Sequence, residues 1–126
     1  MEEIIKKFKF KSNGRVINAP KPMEAEFMNL GLANSLDNKS KNKDVLVFVS
    51  NMKEFAGFLG SQLNFIETDS VLWFAWPKLS SGIKTDINRD ILRVASEKYG
   101  LKTVAAISIN DTWSAIRLRP LDNVGK

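Results

Sequence analysis

The 126-residue chain contains no cysteine and no histidine. Without cysteine there can be no disulfide, no thiolate nucleophile and no cysteine ligand for a metal. Without histidine the chain lacks the commonest general base and transition-metal ligand, and it cannot form a Ser-His-Asp or Cys-His catalytic arrangement. Catalysis would have to use carboxylates, lysines, the single tyrosine Tyr99, hydroxyls, a cofactor or an oxygen-ligated cation. The sequence therefore favours a protein that is not an enzyme, with no cofactor and no metal site.

Long apolar runs are missing as well. The longest cover residues 45–49 and 71–77, far short of the roughly 18 residues that a membrane span requires. Residues 1–7 contain no long apolar core, so we expect no signal peptide. These absences predict a cytoplasmic protein that does not associate with a membrane.

The composition is that of one globular domain. Apolar residues make up 44% of the chain and charged residues 26%, which is ordinary for a soluble protein able to bury a core. We predict an N-terminal arm or short helix over residues 1–14, followed by a single α/β domain over residues 15–126.

The net charge of +5 is modest. Much of the excess lies in two lysine-rich segments, residues 6–11 and 39–43, where solvated lysines that aid solubility are the simplest interpretation. The charge permits anionic ligands. Only Phe8 and Phe10 lie among these lysines, so there is no evident platform for stacking bases, and nucleic-acid binding is a lesser alternative.

Apolar periodicity predicts strands that alternate with helices. The predicted strands cover residues 15–19, 45–49, 71–76, 104–109 and 113–119, with a weak strand at 32–36. The predicted helices cover residues 23–30, 52–63 and 85–98, the last capped by Thr85 or Asp86 with Ile87, Ile91, Val94 and Ala95 facing inward. This order predicts an α/β fold with three layers: a mostly parallel sheet with helices on both faces, closed by a C-terminal antiparallel hairpin, as in a truncated Rossmann-like protein.

In such a sheet, ligands bind beyond the carboxyl ends of the strands. That edge collects polar and aromatic residues from several strands. The candidate ligand-binding residues are Asn18, Lys21, Ser50, Trp76, Lys78, Ser80, Ser81, Gly82, Lys84, Asp111, Trp113, Ser114 and Arg117. The tight turn at residues 110–111 should bring the last two strands to the loop after residue 77, so that both segments share one site.

The chemistry of these residues suits an anion. Lys78 and Lys84 would supply positive charge, while hydroxyls and the N–H groups around Gly82, before a helix, would donate hydrogen bonds. Trp76 or Trp113 would supply a flat apolar wall, so a phosphate, a carboxylate or a nucleotide would fit. The same loop residues also fit a turn and a helix cap, and Asp111 also fits a hairpin turn.

Three side chains test the predicted burial. Trp73 and Trp76 are three positions apart, so they should point to opposite faces of their strand, at least one of them into the core. Arg117 shares a face with Trp113, and in an interior strand it would need an anionic partner. Asp111 and Asp90 are the candidates, and a structural ion pair explains Arg117 as well as a ligand contact does.

The turn after the first strand argues against common cofactors. It reads Asn-Ala-Pro-Lys-Pro over residues 18–22, so two prolines remove donors and no glycine opens the backbone to a phosphate. No G-x-G-x-x-G or Walker motif occurs anywhere in the chain. Ordinary NAD, FAD and P-loop binding are therefore not expected.

Residues 72–86 and 110–118, with their Trp-Pro-Lys and Asp-Thr-Trp-Ser motifs, and Asn-Ala-Pro at 18–20 resemble small bacterial proteins of domain-of-unknown-function family 3052. The resemblance covers residues 15–119 and implies no particular activity. The strand order also resembles the later part of class I methyltransferases, except that the proline-bearing turn replaces their glycine loop. Asp37 is the candidate for the acidic residue that would contact a ribose.

The sequence thus predicts a small bacterial protein that binds an anionic small molecule or a protein partner without catalysis. The alternative is an S-adenosylmethionine-dependent, methyltransferase-like enzyme.

Overall fold

The computed structural model describes residues 2–11 and 14–121, apart from the side chains of residues 2 and 69. Four helices and five strands follow one another along the described chain. They are α1 (Glu2–Lys7), β1 (Arg15–Ile17), α2 (Lys21–Asn29), β2 (Asn42–Phe48), α3 (Met52–Gln62), β3 (Ile66–Pro77), α4 (Arg89–Glu97), β4 (Leu101–Ser108) and β5 (Trp113–Pro120). Short 3-10 turns cover Leu63–Phe65 and Leu79–Ser81.

The sheet is mixed, with the strand order β1-β2-β3-β5-β4. β1, β2 and β3 pair in parallel, whereas β5 pairs antiparallel with both β3 and β4. The prediction of a three-layer, mostly parallel, Rossmann-like sheet is therefore wrong. The tight connection after β4 returns β5 between β3 and β4, which converts this half of the sheet to antiparallel pairing.

Two apolar clusters lie on opposite faces of the sheet. Alternate residues of β2 and β3 contribute to each: Val45 and Phe74 pack with α3 and α4, while Leu46 and Trp73 pack with α1 and α2. Trp73 and Trp76 point to opposite faces as predicted, and they are only 2% and 7% exposed. Most of β4, at the edge of the sheet, is exposed or only partly buried. The helices therefore leave much of this strand uncovered.

The start and the orientation of α4 differ from the prediction. Asn88 is the N-cap, its Oδ1 accepting from the N–H of Ile91 at 2.9 Å. Leu92 and Ser96 are the buried residues of this helix, whereas Ile91 and Val94 are 40% and 49% exposed. A serine can face the core here because its hydroxyl donates to the Leu92 carbonyl at 2.6 Å.

Two other predicted elements also change. Residues 32–36 form no strand beyond an isolated parallel bridge between Arg15 and Ala33. β3 begins at Ile66, earlier than predicted, and its pairing with β2 is irregular between Asn42 and Asp44. Among the residues described, no helix has the length and apolar character to cross a membrane.

Candidate functional site

The two sequence segments that should form one site do lie side by side. β3 and β5 pair so that Pro77 is opposite Trp113 and Trp76 is opposite Ser114. The N–H of Lys78 then donates to the Thr112 carbonyl at 2.7 Å. We call this edge, residues 76–88 and 108–114, the carboxyl rim.

The Lys78 side chain is engaged within the carboxyl rim. Its Nζ donates to Ser108 Oγ at 2.6 Å, which ties the loop after β3 to the end of β4. The ammonium group has three hydrogens, so this bond leaves part of its donor capacity available. Lys78 therefore links the two segments structurally before it can serve any ligand.

The loop at residues 78–83 satisfies most of its own donors. The Lys78 carbonyl accepts from both the hydroxyl and the N–H of Ser81, at 2.6 and 3.0 Å. The Ile83 N–H donates to Ser81 Oγ at 3.2 Å, and Gly82 adopts a left-handed φ of 79°. Residues 78–82 thus form a closed turn, and the predicted cradle of free N–H groups around Gly82 is wrong. Ser80 and Lys84 are exposed on its surface.

Thr85 and Asp86 do not cap α4 as predicted. The Thr85 hydroxyl donates to the Ser50 carbonyl at 2.6 Å, and Asp86 Oδ1 accepts from the N–H of Met52 at 2.7 Å. Asn51 Oδ1 accepts from the Glu54 N–H at 2.9 Å. The N–H groups of Met52 and Glu54, at the start of α3, are therefore bonded to side chains of the protein itself. They are not available to an anion beside Ser50, which the sequence analysis selected as a ligand-binding residue.

The hairpin tip is closed by Asn110 rather than by Asp111. Asn110 Oδ1 accepts from the N–H groups of Thr112 and Trp113, each at 2.9 Å. Asp111 is exposed. This carboxylate is thus left at the surface of the carboxyl rim, next to a turn that does not depend on it.

Neither tryptophan of the carboxyl rim offers a free flat face. Trp113 is buried and packs edge-on against Phe48, with ring centroids 5.0 Å apart. Trp76 is buried on the opposite face, in the cluster of α3 and α4. The aromatic wall predicted for a nucleotide base is part of the core instead.

A groove of about 760 Å³ is lined by the predicted site residues Trp76, Gly82 and Lys84 and by apolar residues that the sequence analysis did not select. We call it the carboxyl-rim groove; its lining includes Trp76, Pro77, Leu79, Ile83, Lys84 and Ile91. Leu79 is 97% exposed. The sequence clue to this groove was the presence of Leu79 and Ile83 in an otherwise polar loop, where apolar side chains are expected to stay outside the core.

Asn18 and Lys21 follow β1, at the carboxyl end of the parallel strands. Asn18 has a left-handed φ of 61° and lines a separate cavity of about 380 Å³ with Asp37 and Phe58. Lys21 is exposed at the first position of α2. Neither residue lines the carboxyl-rim groove.

Asp37 forms a compact loop of its own. Its Oδ1 accepts from the Lys39 N–H and its Oδ2 from the Ser40 hydroxyl, both at 2.9 Å. The Lys39 N–H, followed by the Ser40 hydroxyl, lowers the pKa of this carboxyl below its ordinary value. A ribose at this position would have to share the carboxylate with those two donors.

Arg117 lies in β5 opposite Trp73 and Ala105, well below the hairpin tip. Its predicted pairing with Asp111 or Asp90 is wrong, because no ion pair between described residues includes Arg117. Its Nε is buried and has no hydrogen-bond partner in the described part of the chain. Arg117 instead lines a cavity of about 410 Å³ at the opposite end of the sheet.

Within residues 2–11 and 14–121 there is no cluster of three or more acidic side chains that could hold a metal ion. Comparisons of the chain with protein-family models, with curated proteins and with solved structures gave no match. The resemblance to domain-of-unknown-function family 3052 and to methyltransferases gains no support from them and stays a prediction.

Proposed function

We propose that this protein binds a protein partner through the carboxyl-rim groove and performs no chemistry of its own. The chain has neither histidine nor cysteine, which removes the usual nucleophile and general-base arrangements. An anionic small molecule, which the sequence analysis gave as the other possible ligand, is less well supported. Its expected donors, the N–H and hydroxyl of Ser81, already bond the Lys78 carbonyl.

The observation that carries the proposal is the exposure of Leu79. This side chain is 97% exposed on a turn that hydrogen bonds of Ser81 close. Burying a leucine against a partner contributes about 1.5–3 kcal/mol. Ile83 and Ile91 are also exposed and line the same groove. An apolar patch held in place by hydrogen bonds is typical of an interaction surface.

The lining of the groove indicates the chemistry of the partner. The apolar lining includes the exposed Leu79 and Ile83 and the buried Trp76 and Pro77. Lys84 is the cation on the same lining, and it is exposed. The best fit is a peptide segment that inserts a bulky apolar side chain and places a carboxylate beside Lys84.

Peptide display on the immobilised protein tests this proposal. Peptides recovered with the wild-type protein are titrated against Leu79→Asp and against a matched control, Val94→Asp, which changes an exposed apolar residue outside the groove. Leu79→Asp should weaken binding by about tenfold or more, equivalent to about 1.4 kcal/mol. Val94→Asp should leave the affinity unchanged.

Two outcomes would contradict the protein-partner proposal. One is recovered peptides that bind Leu79→Asp as tightly as the wild type. The other comes from a thermal-shift panel of nucleotides and inorganic phosphate: stabilisation that disappears in Lys84→Ala but persists in Leu79→Asp would favour the anionic small molecule instead.

The methyltransferase alternative has one observation in its favour, the cavity after β1 that Asn18 and Asp37 line. It predicts that S-adenosylmethionine binds there with micromolar affinity, and that Asp37→Ala weakens binding. Calorimetric titration of the wild type decides the point, since absence of heat at high micromolar ligand would eliminate this alternative.

A further inference from the structure

A second cavity lies at the end of the sheet opposite the carboxyl rim. Its lining includes Lys11, Lys43, Asp44, Glu67, Ser70 and Arg117, and its volume is about 410 Å³. We call it the amino-end cavity, because it lies where β2 and β3 begin. The pairing partner on β3 jumps from Ile66 to Val71 while β2 advances only from Asn42 to Asp44. Residues 67–70 therefore bulge out of the regular ladder beside this cavity.

Two buried donors belong to residues that line this cavity. Arg117 Nε and Ser70 Oγ are both buried, and neither has a hydrogen-bond partner in the part of the chain that is described. Buried polar groups are almost always paired, so two unpaired donors on residues that line one cavity require an explanation. Arginine cannot relieve the cost by losing its proton, because its guanidinium stays charged.

The protein's own carboxylates do not meet this requirement. Asp44 is buried, and its Oδ1 accepts from the Lys11 N–H at 3.0 Å. Glu67 is exposed, and no ion pair between described residues includes Arg117. Lys11, Lys43 and Arg117 together place three positive charges on the lining, against the two carboxylates of Asp44 and Glu67. The lining thus has an excess of cationic donors.

We propose that the amino-end cavity binds the oxyanion group, phosphate or carboxylate, of a small molecule. Because both atoms are buried, the Arg117 and Ser70 side chains would have to turn toward the cavity on binding. One oxygen would then accept from Arg117 Nε and another from the Ser70 hydroxyl, with Lys11 or Lys43 supplying further charge. Several acceptor oxygens on one charged group match these donors better than a single uncharged water does. The cavity exceeds the size of the oxyanion itself, which leaves space for an organic part of the ligand. This site is separate from the carboxyl-rim groove, so each can fail without the other.

Titration with inorganic phosphate and, in a parallel arm, acetate tests the proposal at constant ionic strength set with sodium chloride. Phosphate or acetate should raise the Tm of the wild-type protein above the chloride control. Arg117→Met should reduce the affinity about tenfold or more, because it removes a charged group, and Ser70→Ala about threefold, because it removes one neutral donor. Arg93→Met is the matched control, since it removes an exposed arginine on α4 and should bind as the wild type does. The arm that responds identifies the class of oxyanion.

A spectroscopic readout keeps the test valid if Arg117→Met fails to fold. In the wild type, the NMR signal of the Arg117 Nε–H should shift downfield as the oxyanion binds, and Ser70→Ala should require more ligand for the same shift. An unchanged Nε–H signal at saturating phosphate and acetate, or stabilisation no greater than that given by chloride, would overturn the proposal. The first of those results would leave buried water as the partner of Arg117.

Discussion

The carboxyl rim and the amino-end cavity differ in how their polar groups are used. At the carboxyl rim, Ser81, Thr85 and Asn110 all hydrogen-bond to the backbone of this chain. In the amino-end cavity, Arg117 and Ser70 keep buried donors without an acceptor in the described residues. The first region is rich in the residue types typical of binding sites, yet among the described residues only the second has buried side-chain donors without an acceptor. A ligand site is identified by unpaired donors rather than by the number of polar residues.

The distance along the sequence explains this difference. Ser81 bonds the carbonyl three positions before it, and Asn110 bonds the N–H groups two and three positions after it. Short polar side chains find such partners within their own turn. Arg117 and Ser70 sit on separate strands, so no turn brings an acceptor to them, and only tertiary structure decides whether they are paired.

A large effect should come from a buried amide at the start of β2. Asn42 accepts from the Asp37 N–H and donates to the carbonyls of Asp37 and Phe65. Asn42→Ala should lower the free energy of unfolding by about 3 kcal/mol, because buried partners lose their bonds. Asn110→Ala, at the exposed hairpin tip, should cost about 1 kcal/mol. Urea denaturation of both variants measures the two free energies of unfolding. Equal losses would contradict the expected difference between the buried Asn42 and the exposed Asn110.

Arg117→Met should act in the opposite direction. In phosphate-free buffer the substitution removes an unpaired buried Nε–H and retains an unbranched side chain opposite Trp73. We expect the free energy of unfolding to rise by about 1 kcal/mol. Lys78→Met, which loses the exposed bond to Ser108, should lower it by about 0.5 kcal/mol. A loss of stability in Arg117→Met would mean that Arg117 is already paired. The amino-end cavity would then no longer differ from the carboxyl rim in having unpaired donors.

Much of the core could be predicted from local patterns. The apolar run at 45–49 lies largely in β2, and the spacing of Trp73 and Trp76 placed them correctly on opposite faces. The alternation within β2 and β3 sets these positions, so no long-range information was needed. The prediction that Ile91 and Val94 face the core was wrong, because it relied on residue type alone. Ser96 is buried instead, since its hydroxyl donates to a carbonyl of its own helix.

The sheet order and the true state of the site depend on distant residues. Whether β4 or β5 pairs with β3 is not encoded in either strand's own pattern. Because β5 takes this place, it pairs antiparallel on both of its sides. The contact between the loop after β3 and the hairpin tip followed from strand direction and was predictable. The engagement of Lys78 with Ser108 was not, because it depends on a side-chain contact across the sheet edge.

Asp37 offers a further test of a locally satisfied side chain. Its folded-state pKa is lowered by the Lys39 N–H and the Ser40 hydroxyl, so it stabilises the fold above its unfolded pKa of about 4. This contribution is lost as the pH falls through the lower folded pKa. The Tm difference between the wild type and Asp37→Asn should therefore be greatest near neutral pH and shrink under acidic conditions. Ser40→Ala should reproduce part of it, and a difference independent of pH would contradict this account.

The smallest effect on stability should follow substitution of Leu79. Leu79→Ser should change the free energy of unfolding by less than about 0.5 kcal/mol, because the side chain is 97% exposed. Ile87→Ser is the matched change, since Ile87 lines the same groove but is only 4% exposed, and it should cost about 2–4 kcal/mol. Thermal and urea denaturation measure both. A neutral Leu79→Ser would show that folding does not use this leucine, so any loss of peptide binding in a Leu79 variant would be due to the surface itself. A large loss of stability would instead assign Leu79 a role in folding and remove the main support for the groove as a binding surface.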